Sequence, residues 1–500
     1  MADITVLSFP EVTAVLPTDV LYLIRGTGID RDKFIQVKNL YPLTIDSQDK
    51  FDAIIEKVSN TVYKIKDDIL SINVKFLSGG YSLTLEGADT WGRIQTNNCK
   101  DINFDGGAYL DFSTTLNYIY VNTASCFLNG VQIQGSTSTA SSVLYGFWCS
   151  SAAVGSVFKN CSVVGRKSDA TTFSAFRGNG STTIDDTIKY INCVVKNIYS
   201  DTIAATTINC FLNCHNMANC EVNGIFGAST STALVIFAAN TCNRITNFTV
   251  YNIDSYYNIM LLSACINITS SYFEKIGAAA HTPNVINIFL NCFNISSIFI
   301  DEIRTGAAAG TADLIKGCTN ISNVRIYDLQ GYDFSGFIDC DGITSSLVDT
   351  CIVSHSGNGI QQSRNISACT VTDIETSGTK QIHGIFDCDN VSACRVDGVI
   401  GATSAACSGV IDCNYVTGCF TTGIAGDNAG VVGGFRNCDY ISSCYPTAIS
   451  NAGAGSAEGF YSCEYISSVS TDEAVNSGND WVNTDDAQIT NKFSCSAIWT

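Results

Sequence analysis

Basic residues are scarce in this chain. Against 46 Asp and Glu there are 27 Lys and Arg in 500 residues, a net charge of −19. Binding a phosphate backbone needs clustered Lys and Arg, so nucleic acid is not an expected partner. Charge of either sign is thin, at 15% of residues, compared with roughly 25% in an average globular chain. Proline occurs only five times. No apolar run approaches the length of a membrane span. The start, MADITVLSFPEV, has neither the basic n-region nor the apolar h-region of a signal peptide. Without export, the 24 cysteines are expected as thiols rather than disulfides. Helix formers are also few, and Val, Ile, Thr, Ser, Asn and Gly dominate instead. What the chain has is 46% apolar residues, enough for a large core and too many for disorder.

The cysteines are not scattered. None precedes Cys99, and from Cys214 they recur at Cys242, Cys265, Cys292, Cys318, Cys340, Cys388, Cys413, Cys438 and Cys463, with Ser363 in the one open place. The steps fall between 22 and 28 residues and settle at 25, a period that indicates a solenoid. Other columns keep phase with this anchor. Three residues after it stand Ile268, Ile295, Ile321, Ile343, Ile366, Val391 and Val416; eight after it stand Val250, Phe273, Ile300, Ile326, Val348, Val371 and Val396. Eleven after it come Ile253, Ile276, Ile303, Leu329, Ile374 and Val399. Short strands with tight corners fit this composition, three to a coil of about 25 residues. The expected fold is a right-handed, single-stranded parallel β-helix of about fifteen coils, about 70 Å long.

The ladder settles some motifs. Cys214–Cys220, Cys388–Cys394 and Cys413–Cys419 resemble C-x5-C metal pairs, but the second column also accepts Phe248, Ile298 and Val324. Those cannot ligate, so no metal or other cofactor is expected. Stacked rungs lie within disulfide reach, although a reduced thiol packing as a small apolar residue is the leading reading. Asn267, Asn294, Asn320, Asn365 and Asn390 form a corner column that Tyr415, Tyr440 and Tyr465 continue. Asn tolerates the left-handed backbone of a corner, and stacked amides bond from rung to rung.

The head reads differently. Phe51, Ile55, Val58, Val62, Ile65, Ile69 and Ile72 follow alternating steps of four and three, an a/d seam with Asp46 or Ser47 as N-cap. A trimerising coiled coil over 46–73 is expected, with a helix capping the first coil as the alternative. Before it, Val20–Arg25 and Phe34–Val37 flank a Gly26-Thr27-Gly28 turn and read as a hairpin. The domains expected are an attachment segment 1–45, the helical segment 46–73, the shaft 74–470 and a cap 471–500 carrying Trp481, Phe493 and Trp499.

The segment Val20-Leu21-Tyr22-Leu23-Ile24-Arg25-Gly26 with Ile35, Val37 and Leu40 resembles the amino-terminal attachment segments of phage and prophage tail fibres and tailspikes. Phe76 to Leu83, FLSGGYSL, resembles the opening rung of pectate-lyase-like β-helices. The likeness covers about the first 110 residues by motif and the rest by repeat architecture. It implies an elongated homotrimeric receptor-binding protein in the virion tail, assembled in the host cytoplasm. It also implies docking on a tail or baseplate protein through the first segment and adhesion to a host surface glycan. Some relatives cleave polysaccharide and others only bind it.

The candidate catalytic residues are carboxylates in phase with the anchor. Asp387 and Asp412, with Asp339, precede it; Asp389 and Asp439, with Asp341 and Glu464, follow it. Stacked pairs are expected about 5 Å apart and same-strand pairs about 7 Å apart, spacings suited to glycoside hydrolysis or Ca²⁺, or simply to a solvated acidic face. His383-Gly384 lacks an Arg-x-Lys partner, Arg395 and Arg436 lie nearby in phase, and His215, His281, His355 and His383 form no triad. In the variable corners, Tyr256, Tyr257, Tyr332 and His281 are candidates for stacking on sugars. Whether the protein is an enzyme stays open at this level: glycan adhesion leads, and depolymerase activity at the Asp columns is the alternative.

Overall fold

A single coil shows how the chain is built. Strand Thr311–Lys316 runs to a corner at Gly317–Cys318, strand Thr319–Ile326 follows, and after a second corner Leu329–Ile338 closes this coil and starts the next. Each strand pairs in parallel with its equivalents one coil below and above. Ile268, Ile295, Ile321, Ile343, Ile366, Val391 and Val416 lie in one register column. All are buried, as are Phe273, Ile300, Ile326, Val348 and Val371 in the second column. β-branched side chains suit this packing, because each inward residue stacks on an equivalent residue one rung away.

The computed structural model describes residues 43–471 apart from short segments, mostly corners, of which 84–90 and 136–142 are the longest, together with strand pieces at 21–23, 34–36, 481–482 and 490–494. It is a parallel β-solenoid of about 13 turns with about 26 residues per turn, 68% strand and 2% helix. Several early coils are longer than the later ones. Phe127, Val157 and Lys189 share a column at intervals of 30 and 32 residues.

The cysteine ladder has a chemical reason. At the anchor the inward residue sits between two strands, so its backbone N–H lacks the usual carbonyl partner. The side chain of the next coil's anchor accepts it: Cys214 N–H donates to Cys242 Sγ at 3.3 Å and Cys292 N–H to Cys318 Sγ at 3.2 Å. Where serine holds the column the hydroxyl takes over, as Cys340 N–H donates to Ser363 Oγ at 3.1 Å. Each thiol in turn donates to the carbonyl two residues back, for example Cys413 to Ile411 at 3.1 Å. The second column repeats this chemistry, with Phe248 N–H bonded to Ser271 Oγ and Val324 N–H to Ser346 Oγ. The 23 cysteines among the described residues are buried and none is in a disulfide. Burial pushes the Cys99, Cys340 and Cys407 thiols up to about 12, which keeps these three protonated.

The coiled-coil seam does not form. The helix spans only Gln48–Ile54, with Ser47 as its N-cap. Strands Ile55–Ser59 and Val62–Ile65 then pair as an antiparallel hairpin, and Val62–Ile65 joins Trp91–Gln95 in parallel. Phe51, Ile65, Ile69 and Ile72 enter the core of their own chain, Ile55 packs at its edge, and Val58 is 56% exposed. The physical reason is the β-branched run from Ile54, which favours strand, together with an open solenoid end that these residues cover. Leu43–Ile45 already pairs with Ser71–Lys75, so 46–73 belongs to the solenoid and is not a separate helical domain.

At the other end the repeat fades in sequence but pairing continues. Trp481–Val482 lies against Phe460–Tyr461, and Thr490–Ser494 against Ser467–Thr471. The expected amino-terminal hairpin is present as Leu21–Leu23 paired antiparallel with Phe34–Gln36. Trp499, Phe76 to Gly80 and the rest of the attachment segment lie outside the described residues.

Candidate functional site

The corner around the anchor turns sharply because two of its residues take the left-handed conformation. The residue before the anchor does so at Asn213, Asn291, Asp339, Asp387, Asp412 and Asn437, with φ of 50 to 54°. The second residue after it does so at Asn267, Asn294, Asn320, Asn365 and Asn390, with φ of 55 to 57°. Asn and Asp tolerate this region best after glycine. The candidate carboxylates Asp387 and Asp412 therefore hold positions that the corner itself assigns to Asx residues.

Along the axis the side chains of this corner form a continuous face. Asn320 Nδ2 donates to Asn294 Oδ1 at 3.1 Å, Asn294 to Asn267 at 2.8 Å and Asn267 to Asn243 at 3.0 Å. Carboxylates end such runs: Asn365 donates to Asp341 at 2.7 Å, Asn414 to Asp389 at 3.0 Å and Asn437 to Asp412 at 2.9 Å. Two residues along each strand, a hydroxyl column of Thr269, Ser296, Ser322 and Thr344 runs beside the amides, and between them lies an open groove of about 510 Å³. Its walls carry amides and hydroxyls and no charge.

Toward the carboxyl-terminal end, tyrosine replaces asparagine in the same column. Tyr415, Tyr440 and Tyr465 stack with ring centroids 4.9 and 4.7 Å apart and planes within 11°. They are 55%, 47% and 47% exposed. All three have φ of 53 to 55°, a conformation that is costly for a bulky side chain, about 1–3 kcal/mol each. Ring stacking returns about 0.5–1.5 kcal/mol per pair, so the ladder is a standing expense on an exposed surface. Asp389, Asn414, Asp439 and Glu464 occupy successive rungs beside it. Asp387 and Asp412 are exposed on the other side of the anchor, whereas Asp389 and Asp439 are half-buried. The neighbouring phenol of Tyr465, then burial, Tyr415 and the carboxylates of Asp439 and Glu464, push the Tyr440 phenol up.

The remaining candidates lie elsewhere. Tyr256 and Tyr257 form a corner between Thr249–Ser255 and Asn258–Ser263. Tyr332 shares a register column with Tyr257 three coils away, so they form no common patch. Tyr332 instead stacks on His355, with centroids 4.4 Å apart and planes at 8°. His355 Nδ1 bonds to Asp333 Oδ1 at 2.7 Å, and Ser356 donates to the same oxygen from Oγ at 2.6 Å and from its backbone N–H at 3.1 Å. A bulge between Gly331 and Asp333 creates this arrangement. Tyr332-Asp333 and His355-Ser356 sit one period apart in sequence, but the varying corner lengths hide that phase. His281 lies outside the described residues.

The histidine and arginine candidates have structural surroundings. His383 is buried, near Gln381 Oε1 at 3.3 Å, and burial with the nearby Arg436 charge brings it down to about 3. Arg395 pairs with Asp397 at 2.8 Å and lies over the Phe420 ring, while Arg436 lies over Tyr461. Among the described residues no group of three His, Cys, Asp or Glu side chains converges as a metal site, and no helix is long and apolar enough to cross a membrane.

No family model matches this chain, and no curated protein does. Among solved structures it is similar to the periplasmic alginate epimerase AlgG, at 9% identity over 90% of this chain and 82% of that one, with a TM-score of 0.21. A double mutant of the same epimerase aligns equally loosely, at 9% identity, 90% and 83% coverage and a TM-score of 0.21.

Proposed function

We propose that this protein is a structural, glycan-binding β-solenoid, the receptor-binding fibre or spike of a phage tail or a related contractile device. The observation that carries the adhesion reading is the long corner face, an uncharged amide and hydroxyl groove that continues into an exposed tyrosine ladder. Sugar rings offer hydroxyls to the first and flat C–H faces and edges to the second. The tail context, docking through the amino-terminal segment to a tail or baseplate protein, assembly in the host cytoplasm and homotrimerisation rest on the resemblance of that segment. The heptad-spaced residues lend no support to a trimer, since Phe51, Ile65, Ile69 and Ile72 are taken up in the core of one chain.

Replacing Tyr415, Tyr440 and Tyr465 together by Ala is expected to weaken binding to host surface polysaccharide about tenfold or more, each ring contributing on the scale of an aromatic contact. The same incubation, assayed for new reducing ends or unsaturated sugars, tests the depolymerase reading. Binding without product is the expected result. Product release that Asp387→Asn or Asp412→Asn abolishes would replace adhesion by catalysis.

A further inference from the structure

Charge along the face divides the glycans it accepts. From the coil of Cys388 to that of Cys463, the positions flanking the anchor carry Asp387, Asp389, Asp412, Asp439 and Glu464, with neither Lys nor Arg among them. Asp439 and Glu464 border Tyr440 and Tyr465 on successive rungs, Asn414 stands beside Tyr415, and Asp389 lies one rung below the ladder with Arg364 in register beneath it. The groove at the other end of the face, lined by Asn267, Asn294, Asn320, Thr269, Ser296 and Ser322, is uncharged. A ladder amide there gives one N–H to the rung below and accepts one from the rung above. That leaves Asn267 and Asn294 one N–H and one lone pair each for a ligand, the complement of a sugar hydroxyl, which is both donor and acceptor. This pattern repeats at the coil spacing, so a linear ligand lying along the axis meets the same groups again and again.

We infer that the glycan bound on this face is a neutral or amino-bearing linear polysaccharide lying along the solenoid axis, and that polyuronates and sulfated polymers are excluded by the carboxylate rungs. The inference rests on the adhesion reading and deepens it. Surface carboxylates act over about 10 Å at 0.1 M salt, so a polyanion threaded past the tyrosines would face several like charges at once. An ammonium-bearing sugar would gain from the same array, and that gain would be screened by salt. Rejecting wrong partners through like charge is a common source of specificity.

The test uses the full chain and three soluble oligosaccharide series of matched length: a neutral glucan, a deacetylated chitooligosaccharide and an oligouronate. At low salt the cationic series is expected to bind most tightly, the neutral series next, and the oligouronate at least about tenfold more weakly than the neutral one. Raising the salt to about 0.5 M is expected to erase most of the cationic advantage and leave neutral binding nearly unchanged. The combined variant Asp389→Asn, Asp439→Asn, Glu464→Gln is expected to lose the cationic preference and to gain affinity for the oligouronate, a gain that misfolding cannot produce. Oligouronate binding as tight as neutral binding in the wild type, or an order of preference unchanged in the variant, would overturn the inference. If none of the series binds, or if Tyr415→Ala, Tyr440→Ala, Tyr465→Ala together weakens none of them, the adhesion reading itself fails.

Discussion

A thiol and a serine hydroxyl hold the same place at the anchor because each accepts the N–H of the neighbouring coil and donates to a carbonyl of its own. Cys318→Ser keeps both bonds and is expected to cost little, whereas Cys318→Ala leaves the Cys292 N–H unpaired and is expected to cost about 1–3 kcal/mol, read from urea unfolding. Equal losses for the two variants would mean that sulfur acts through packing alone. The thiols also set an alkaline limit. Cys99, Cys340 and Cys407 are raised from 9.0 to about 12 by burial. A raised folded value means that their contribution is whole below pH about 9 and is lost as pH climbs through about 12. The urea midpoint should therefore fall steadily over that window, with these three thiols unreactive below it; a midpoint flat to pH 11 would contradict this account. The column itself, including Ser363, was legible in the sequence. Its cause was not, since the direction of an N–H at a corner leaves no mark on composition. Asp387 and Asp412 were ambiguous for a related reason. A carboxylate poised for catalysis and an Asx residue holding φ near 53° both appear as Asp at a fixed phase.

At the scale of elements, strands and corners were readable wherever the period was regular, and the head was misread where two patterns coincide. Phe51 to Ile72 obeys a heptad, yet the same β-branched residues line a short helix, a hairpin and a strand that close the first coils. The distinction is measurable. Ile72→Lys places a charge in the core and is expected to lower stability by 3 kcal/mol or more, on the order of other buried unpaired charges. Val58→Lys, on an exposed position, should leave the melting temperature and the mass by light scattering unchanged. A coiled-coil seam would instead lose its oligomer in both variants. The Tyr332, Asp333, His355 and Ser356 cluster went unseen because it depends on a bulge, which shifts register without any signature in the repeat. Bulges of this kind re-aim side chains, and here one lets a single carboxylate oxygen collect three hydrogen bonds.

For the whole molecule, a solenoid of about 13 turns makes function a matter of columns. Each rung contributes one amide or one ring, and affinity is assembled by repetition, as suits a surface that grips a polymer. The most direct measurement is titration calorimetry of neutral oligosaccharides of increasing length against the wild type and the variant lacking Tyr415, Tyr440 and Tyr465 side chains. The account predicts affinity that rises with each added sugar until the face is covered, and a drop of about tenfold or more in the variant. Affinity independent of length, or identical in the two proteins, would contradict it.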